Sequence, residues 1–154
     1  MARVNAGPST NGLPPAELAH ERTIARGQTS RLFDLSIATS PPAQLLRSIV
    51  NCAEQRQRAR VAYVNAHVIN QSFDEPEVRD ALLGSDLVYC DGYGVRLAAK
   101  AIGLPVPHRM TGADWIWGVA ALCEAAGRSL YLLGSDPGAS AEAAAVPYAL
   151  EPQP

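Results

Sequence analysis

The chain has 154 residues, of which 47% are hydrophobic and 18% charged, with a formal net charge of −2. This is the balance of one globular domain with a real core, and the charge excludes a strong electrostatic pull toward nucleic acid. No apolar run reaches the length of about 18 residues that a transmembrane helix needs, and no charged start followed by an apolar stretch predicts a signal peptide.

Residues 1–30 are rich in Gly, Pro, Ser, Thr and charge without periodicity, which predicts a disordered extension. Order is expected from Arg31, where Leu32-Phe33-Asp34-Leu35-Ser36-Ile37 reads as one strand. Thr39-Ser40-Pro41-Pro42 then starts a helix, with hydroxyl caps and proline in the first turn. Leu45, Leu46, Ile49, Val50 and Ala53 form its apolar stripe, and Arg56, Arg58 and Arg60 are placed at its solvated end, where cations suit the helix dipole. Val61–Val64 is a compact apolar run, read as a strand buried on both faces and ended by Asn65-Ala66-His67.

A helix follows over Val68–Phe73, and a second one begins with Asp74 and Glu77 as a capping pair and closes at Gly84. Leu87–Cys90 is the next strand, Asp91-Gly92-Tyr93-Gly94 a turn, and Val95–Ile102 a helix. Asp114–Ala126 is a helix with Trp115 in its core-like stripe. Ser129–Leu133 reads as a strand, Gly134–Gly138 as a turn, and a helix starts at Ala139. Alternating strands and helices predict an α/β, Rossmann-like fold: a mainly parallel sheet with helices on both faces. The domain is expected over 31–146, with an irregular tail at 147–154.

Ligands of an open parallel sheet bind beyond the carboxyl ends of its strands. There, Asp91 is the leading candidate for chemistry. It reads as a general base, or alternatively as an Asx-turn or helix cap, because a helix follows. Gly92 and Gly94 permit unusual backbone angles and close approach of a ligand. Asn65 reads as a residue that orients a substrate hydroxyl or holds the neighbouring turn, and His67 as a base or a structural partner. In His108-Arg109-Met110-Thr111-Gly112-Ala113-Asp114, Arg109 reads as a phosphate contact or a loop salt bridge. The amides of Gly134–Gly138 are placed to cradle a phosphate, although the P-loop lysine is missing, and Gly92-Tyr93-Gly94 does not complete a dinucleotide fingerprint. Cys52, Cys90 and Cys123 are too widely spaced for a disulfide framework or zinc site and read as small buried residues. No cluster with metal-ligand spacing is present, so no bound metal is expected.

The segments Tyr63-Val64-Asn65-Ala66-His67, Leu83-Gly84-Ser85-Asp86-Leu87-Val88-Tyr89-Cys90-Asp91-Gly92-Tyr93-Gly94, Arg109-Met110-Thr111-Gly112-Ala113-Asp114 and Leu132-Leu133-Gly134-Ser135-Asp136-Pro137-Gly138 together resemble the WecB/TagA/CpsF glycosyltransferases, glycosyltransferase family 26. The resemblance runs from about Leu32 to Ala145. It implies a bacterial enzyme of cell-surface polysaccharide synthesis that transfers N-acetylmannosamine, its uronic acid or a related hexose from a UDP-sugar to a polyprenyl-diphosphate-linked acceptor. Inversion at the sugar and no cofactor or essential metal are implied with it. Asp91 matches the family's proposed general base and Asn65 a sugar contact, while Tyr63 stands where many members have threonine. Gly92, Gly94, Arg109, Gly112 and Asp114 match the motif positions of the substrate site, and Gly134 part of its nucleotide side.

The implied location is cytoplasmic, at the inner face of the cell membrane, with the membrane contact made by a basic C-terminal appendage. The segment 146–154 does not resemble the family's continuation, so a chain shortened relative to its relatives is expected. The competing readings are a non-catalytic nucleotide-sugar-binding module, an inactive fragment and, on sheet topology alone, a dinucleotide-dependent oxidoreductase.

Overall fold

A computed structural model describes residues 27–134 and 136–145. Most of the expected extension and the whole expected tail lie outside them. The elements in chain order are β1 (Thr29–Leu32), β2 (Leu35–Ala38), α1 (Pro42–Glu54), β3 (Val61–Val64), α2 (Ala66–Asp74), α3 (Pro76–Leu83), β4 (Leu87–Cys90), α4 (Tyr93–Ala101), α5 (Gly112–Ala125) and α6 (Ala139–Ala145). The strands form one sheet in the order β1-β2-β4-β3. β4 runs parallel to both β2 and β3, and β1 is antiparallel to β2. This is the expected α/β, Rossmann-like architecture, with an added antiparallel edge.

Alternation along β4 distributes its side chains to two layers. Val88 and Cys90 face a core with Leu35, Ile37, Val64, Ile69, Leu82 and Val95, built with α2, α3 and α4. Leu87 and Tyr89 face the other way, against Leu45, Cys52 and Met110, with Trp115 of α5 packed on the group. All four residues of β4 are buried, as a parallel strand covered by helices on both sides requires. Leu35, Ile37, Leu45 and Leu87 are essentially inaccessible, and burial of each contributes about 1.5–3 kcal/mol.

Several local expectations are corrected. Residues 32–37 are not one strand but a hairpin: Leu32 pairs with Leu35, and Phe33 and Asp34 turn the chain at φ 50° and 65°. The ordered part also begins inside the expected extension, since β1 starts at Thr29 and Ser30 is buried. No hydroxyl caps α1; its N-cap is Pro41, and Ser40 Oγ instead accepts from Gln28 N at 3.0 Å. α1 stops at Glu54 with no basic residue in its last turn, because Arg56 at φ 56° leaves the helix. Asp74 belongs to α2, and α3 starts from Glu75 with no side-chain cap.

β3 is not buried on both faces. It is an edge of the described sheet, and Tyr63 is exposed. Ser129–Leu133 forms no strand. An apolar run becomes a strand only with a ladder partner, and no described residue pairs with it; Tyr131 and Leu133 are 87% and 90% exposed.

Candidate active site

The carboxyl ends of β3 and β4 lie side by side, with Val64 opposite Cys90. The backbone around Asp91 is held from both sides. Asp91 N donates to Val64 O at 2.8 Å, and on the other side Met110 N donates to Cys90 O at 2.8 Å. The second bond, with the parallel bridge between Cys90 and Arg109, brings the Arg109 segment onto the flank of β4. Sequence spacing alone does not reveal this juxtaposition across some twenty residues.

Asp91 is half-buried. The cap position of α4 is Gly92, without a side-chain cap hydrogen bond. The helix start therefore does not use the Asp91 carboxylate, and the capping alternative is not realised. Its charge is felt by its neighbours. Burial pushes the Tyr89 phenol up, the hydrogen bond from Trp115 opposes this, and the nearby Asp91 and Tyr63 add to it. Burial likewise pushes the Cys90 thiol up; Arg96 opposes, Asp91 adds, and the bond to Gly92 opposes. Cys90 Sγ lies 3.3 Å from Gly92 O as donor, so it is held as a neutral thiol and is no nucleophile.

The two glycines have different causes. Gly92 sits at φ 134° and ψ 163°, a region open essentially to glycine alone. Gly94 has no such angle; a Cβ there would lie 3.1 Å from Ala66 Cβ. The space beside Gly94 is thus filled by α2 rather than kept for a ligand. A Cβ at Gly92 would lie 3.5 Å from Asn65 Cβ, which places Asn65 directly beside the Asp91–Gly92 turn.

Asn65 is the N-cap of α2: its Oδ1 accepts from Val68 N at 2.9 Å. This structural role takes one acceptor and leaves the amide nitrogen outside the cap. Replacing Asn65 by Ala is expected to lower stability by about 1 kcal/mol, and Asn65→Ser by much less. Urea midpoints of the two variants check this; equal midpoints would show that the cap is idle.

The structure brings Asp91, Asn65, Gly92, Gly94 and the Arg109 segment together. Tyr63 stands at the rim, its ring 6.3 Å from that of Tyr89. Tyr89 in turn meets Trp115 edge-on at 5.6 Å and accepts from its Nε1 at 3.3 Å, which confirms Trp115 as a core residue. Gly112 and Asp114 lie in the first turn of α5. Gly134 is not joined to this group by any described contact; a Cβ on it would lie 3.0 Å from Ser140 N. His67 is exposed on the first turn of α2. The sequence reading missed Arg96, whose guanidinium carbon lies 5.7 Å from the Tyr93 ring centroid, while that of Arg109 lies 5.3 Å from it. The i, i+3 spacing of Tyr93 and Arg96 was the available signal. Among the described residues, no three His, Cys, Asp or Glu come together as a metal-binding group, and no helix is long and apolar enough to cross a membrane.

A mainly parallel open sheet with a carboxylate, an amide and a cation gathered at its carboxyl ends defines a Rossmann-like protein, a class of fold whose ligands bind at such strand ends. The chain belongs to the glycosyl transferase WecG/TagA/CpsF family, whose model matches residues 30–148. Glycosyl transfer is therefore its class of activity. No curated protein and no solved structure matches the chain.

Proposed function

We propose that the chain transfers N-acetylmannosamine, its uronic acid or a related hexose from a UDP-sugar to a polyprenyl-diphosphate-linked acceptor, with inversion, in bacterial surface polysaccharide synthesis. Asp91 acts as general base. It takes the proton of the acceptor hydroxyl while that oxygen attacks the anomeric carbon and the bond to UDP breaks. Charge accumulates on the departing diphosphate, and Arg109 is the cation that answers it. Asn65 offers its amide nitrogen to a sugar hydroxyl. Gly92 lets the main chain come close to the donor, Gly112 and Asp114 start the helix beyond Arg109, and Gly134 belongs to the nucleotide side. The reaction calls on no metal or cofactor. The work takes place in the cytoplasm, at the inner face of the membrane where the lipid-linked acceptor resides.

The observation that carries this reading is the pinned Asp91 turn, with Asn65 on one flank and the Arg109 segment on the other. The test is release of UDP from UDP-N-acetylmannosamine and related donors, followed with and without a lipid-linked acceptor. Release that depends on the acceptor is expected. Donor binding without transfer to any lipid-linked acceptor would leave a nucleotide-sugar-binding module instead.

A further inference from the structure

β1 runs antiparallel to β2, so it brings no carboxyl end to the site. It does carry a buried hydroxyl. Ser30 is 3% exposed, and its Oγ donates to Pro105 O at 2.5 Å, across 75 positions of sequence. Ser30 pairs with Ile37, so the two side chains leave the sheet on one face. That face is the one Ile37 presents to the core built with α4.

Pro105 stands in the connection between α4 and Arg109. Residues 104–108 form neither helix nor strand, and Pro105 and Pro107 have no N–H to donate. The connection is nevertheless held along its length. At its start Leu104 N donates to Ala99 O at 2.9 Å, and Leu104 packs on the α4 core. At its end Arg109 bridges to Cys90, and Met110 N donates to Cys90 O at 2.8 Å. Between these anchors the Ser30 hydroxyl holds Pro105 O.

The far anchor is the one that matters for the site. β2 meets β4 at Ile37 and Val88. Two residues further along β4, the Arg109 segment takes a ladder position at Cys90, next to Asp91. The cation therefore stands where its connection allows, and the hairpin edge is what braces the connection.

We infer that Ser30 is a positioning residue for sugar transfer: its bond to Pro105 fixes the connection that sets Arg109 against the strand end carrying Asp91. The part given to Arg109 rests on the proposed function; the bracing of its segment does not. Pro105 is exposed, so its carbonyl turns to water when the hydroxyl is removed. Ser30→Ala then loosens the connection without leaving a buried acceptor unpaired. A group displaced by about 1 Å can cost about 10²-fold in rate, so a small loosening is enough to be seen.

Amide exchange on the full chain tests the brace without substrate. In Ser30→Ala the Met110 amide should exchange about tenfold faster, while the Asp91 amide, held by Val64 O, keeps its rate. Ser30→Thr keeps the hydroxyl and should restore slow exchange. Acceptor-dependent transfer tests the consequence. Ser30→Ala should lower kcat about tenfold and leave KM for the UDP-sugar within about twofold, because the charge met by Arg109 develops only as the bond to UDP breaks. In an Arg109→Gln background the same change should cost nothing more, since effects carried through one group do not add. Ser48→Ala, which removes an exposed hydroxyl bond to Gln44 O on α1, should move neither readout.

Unchanged exchange at Met110 would overturn the inference whatever the activity. So would equal acceleration at Met110 and Asp91, the mark of general loosening. A Ser30→Ala loss that persists in the Arg109→Gln background would mean that Ser30 does not act through Arg109. Loss of transfer in Arg109→Gln with none in Ser30→Ala would sink the inference alone. Full transfer by Arg109→Gln would instead remove the part given to Arg109 in the proposed function, and the positioning role with it.

Discussion

Asp91→Ala and Asp91→Asn are expected to lower acceptor-dependent sugar transfer by about 10²–10⁴-fold, the usual contribution of a positioned general base. Stability should stay within about 0.5 kcal/mol, because the carboxylate is not the cap of α4 and the backbone on both sides of residue 91 is held by main-chain bonds that a side-chain change leaves in place. Asp91→Asn keeps the size and polarity of the side chain and removes only the charge and the basicity, so it separates proton transfer from packing. A second readout is independent of turnover. The Asp91 charge helps hold the Tyr89 phenol up, so Asp91→Asn should bring the Tyr89 titration down, followed by ultraviolet difference absorbance. Full transfer by the Asn variant, with the Tyr89 shift present, would show that the carboxylate is where the structure puts it and yet is not the base.

The parts of the fold that rest on one-residue-deep signals were legible in the sequence. Leu87-Val88-Tyr89-Cys90 is unbroken and apolar because it is covered on both faces, and it is β4. The helices after it and before it follow from spacing. What could not be read depends on residues far apart. Phe33 and Asp34 make a two-residue turn without the glycine or asparagine that usually announces one. Asp34 is met by Arg79 at 3.1 Å and Arg31 at 3.7 Å, and Phe33 meets Phe73 edge-on at 5.7 Å. The two contacts to α2 and α3 come from residues forty or so positions away. Ser40 carried a cap signature, but its hydroxyl is taken by the backbone of Gln28.

The candidate site divides in the same way. Asp91 stood out locally as a carboxylate between an apolar strand and a glycine turn. That Arg109 shares its strand end depends on the bridge to Cys90, which no local pattern encodes; the motif resemblance supplied that pairing. From sequence Asn65 fits either a ligand contact or a turn-former. The structure assigns it the second role through its cap bond, and that bond leaves the first one open to it.

Gly92→Ala is expected to be the costlier of the two glycine changes in the turn. Gly92 lies at φ 134° and ψ 163°, where an alanine is strained by about 1–3 kcal/mol wherever its methyl points. The methyl itself meets only Asn65 Cβ, at an ordinary 3.5 Å, so the cost lies in the backbone. Gly94→Ala reverses the balance: the conformation is helical and suits alanine, but the methyl would lie 3.1 Å from Ala66 Cβ and α2 must yield by a few tenths of an ångström. Alanine also gains up to about 1 kcal/mol over glycine within a helix, which offsets part of that crowding. The unfolding free energy from urea titration should therefore fall by about 1–3 kcal/mol in Gly92→Ala and by less than about 1 kcal/mol in Gly94→Ala. Only the first should also cost transfer out of proportion to stability. To relieve its strain, the chain must rotate the peptide that joins Gly92 to Asp91, and the carboxylate moves with it. The opposite order of midpoints would mean that close packing of α4 on α2, rather than the angle at residue 92, is what the turn cannot give up.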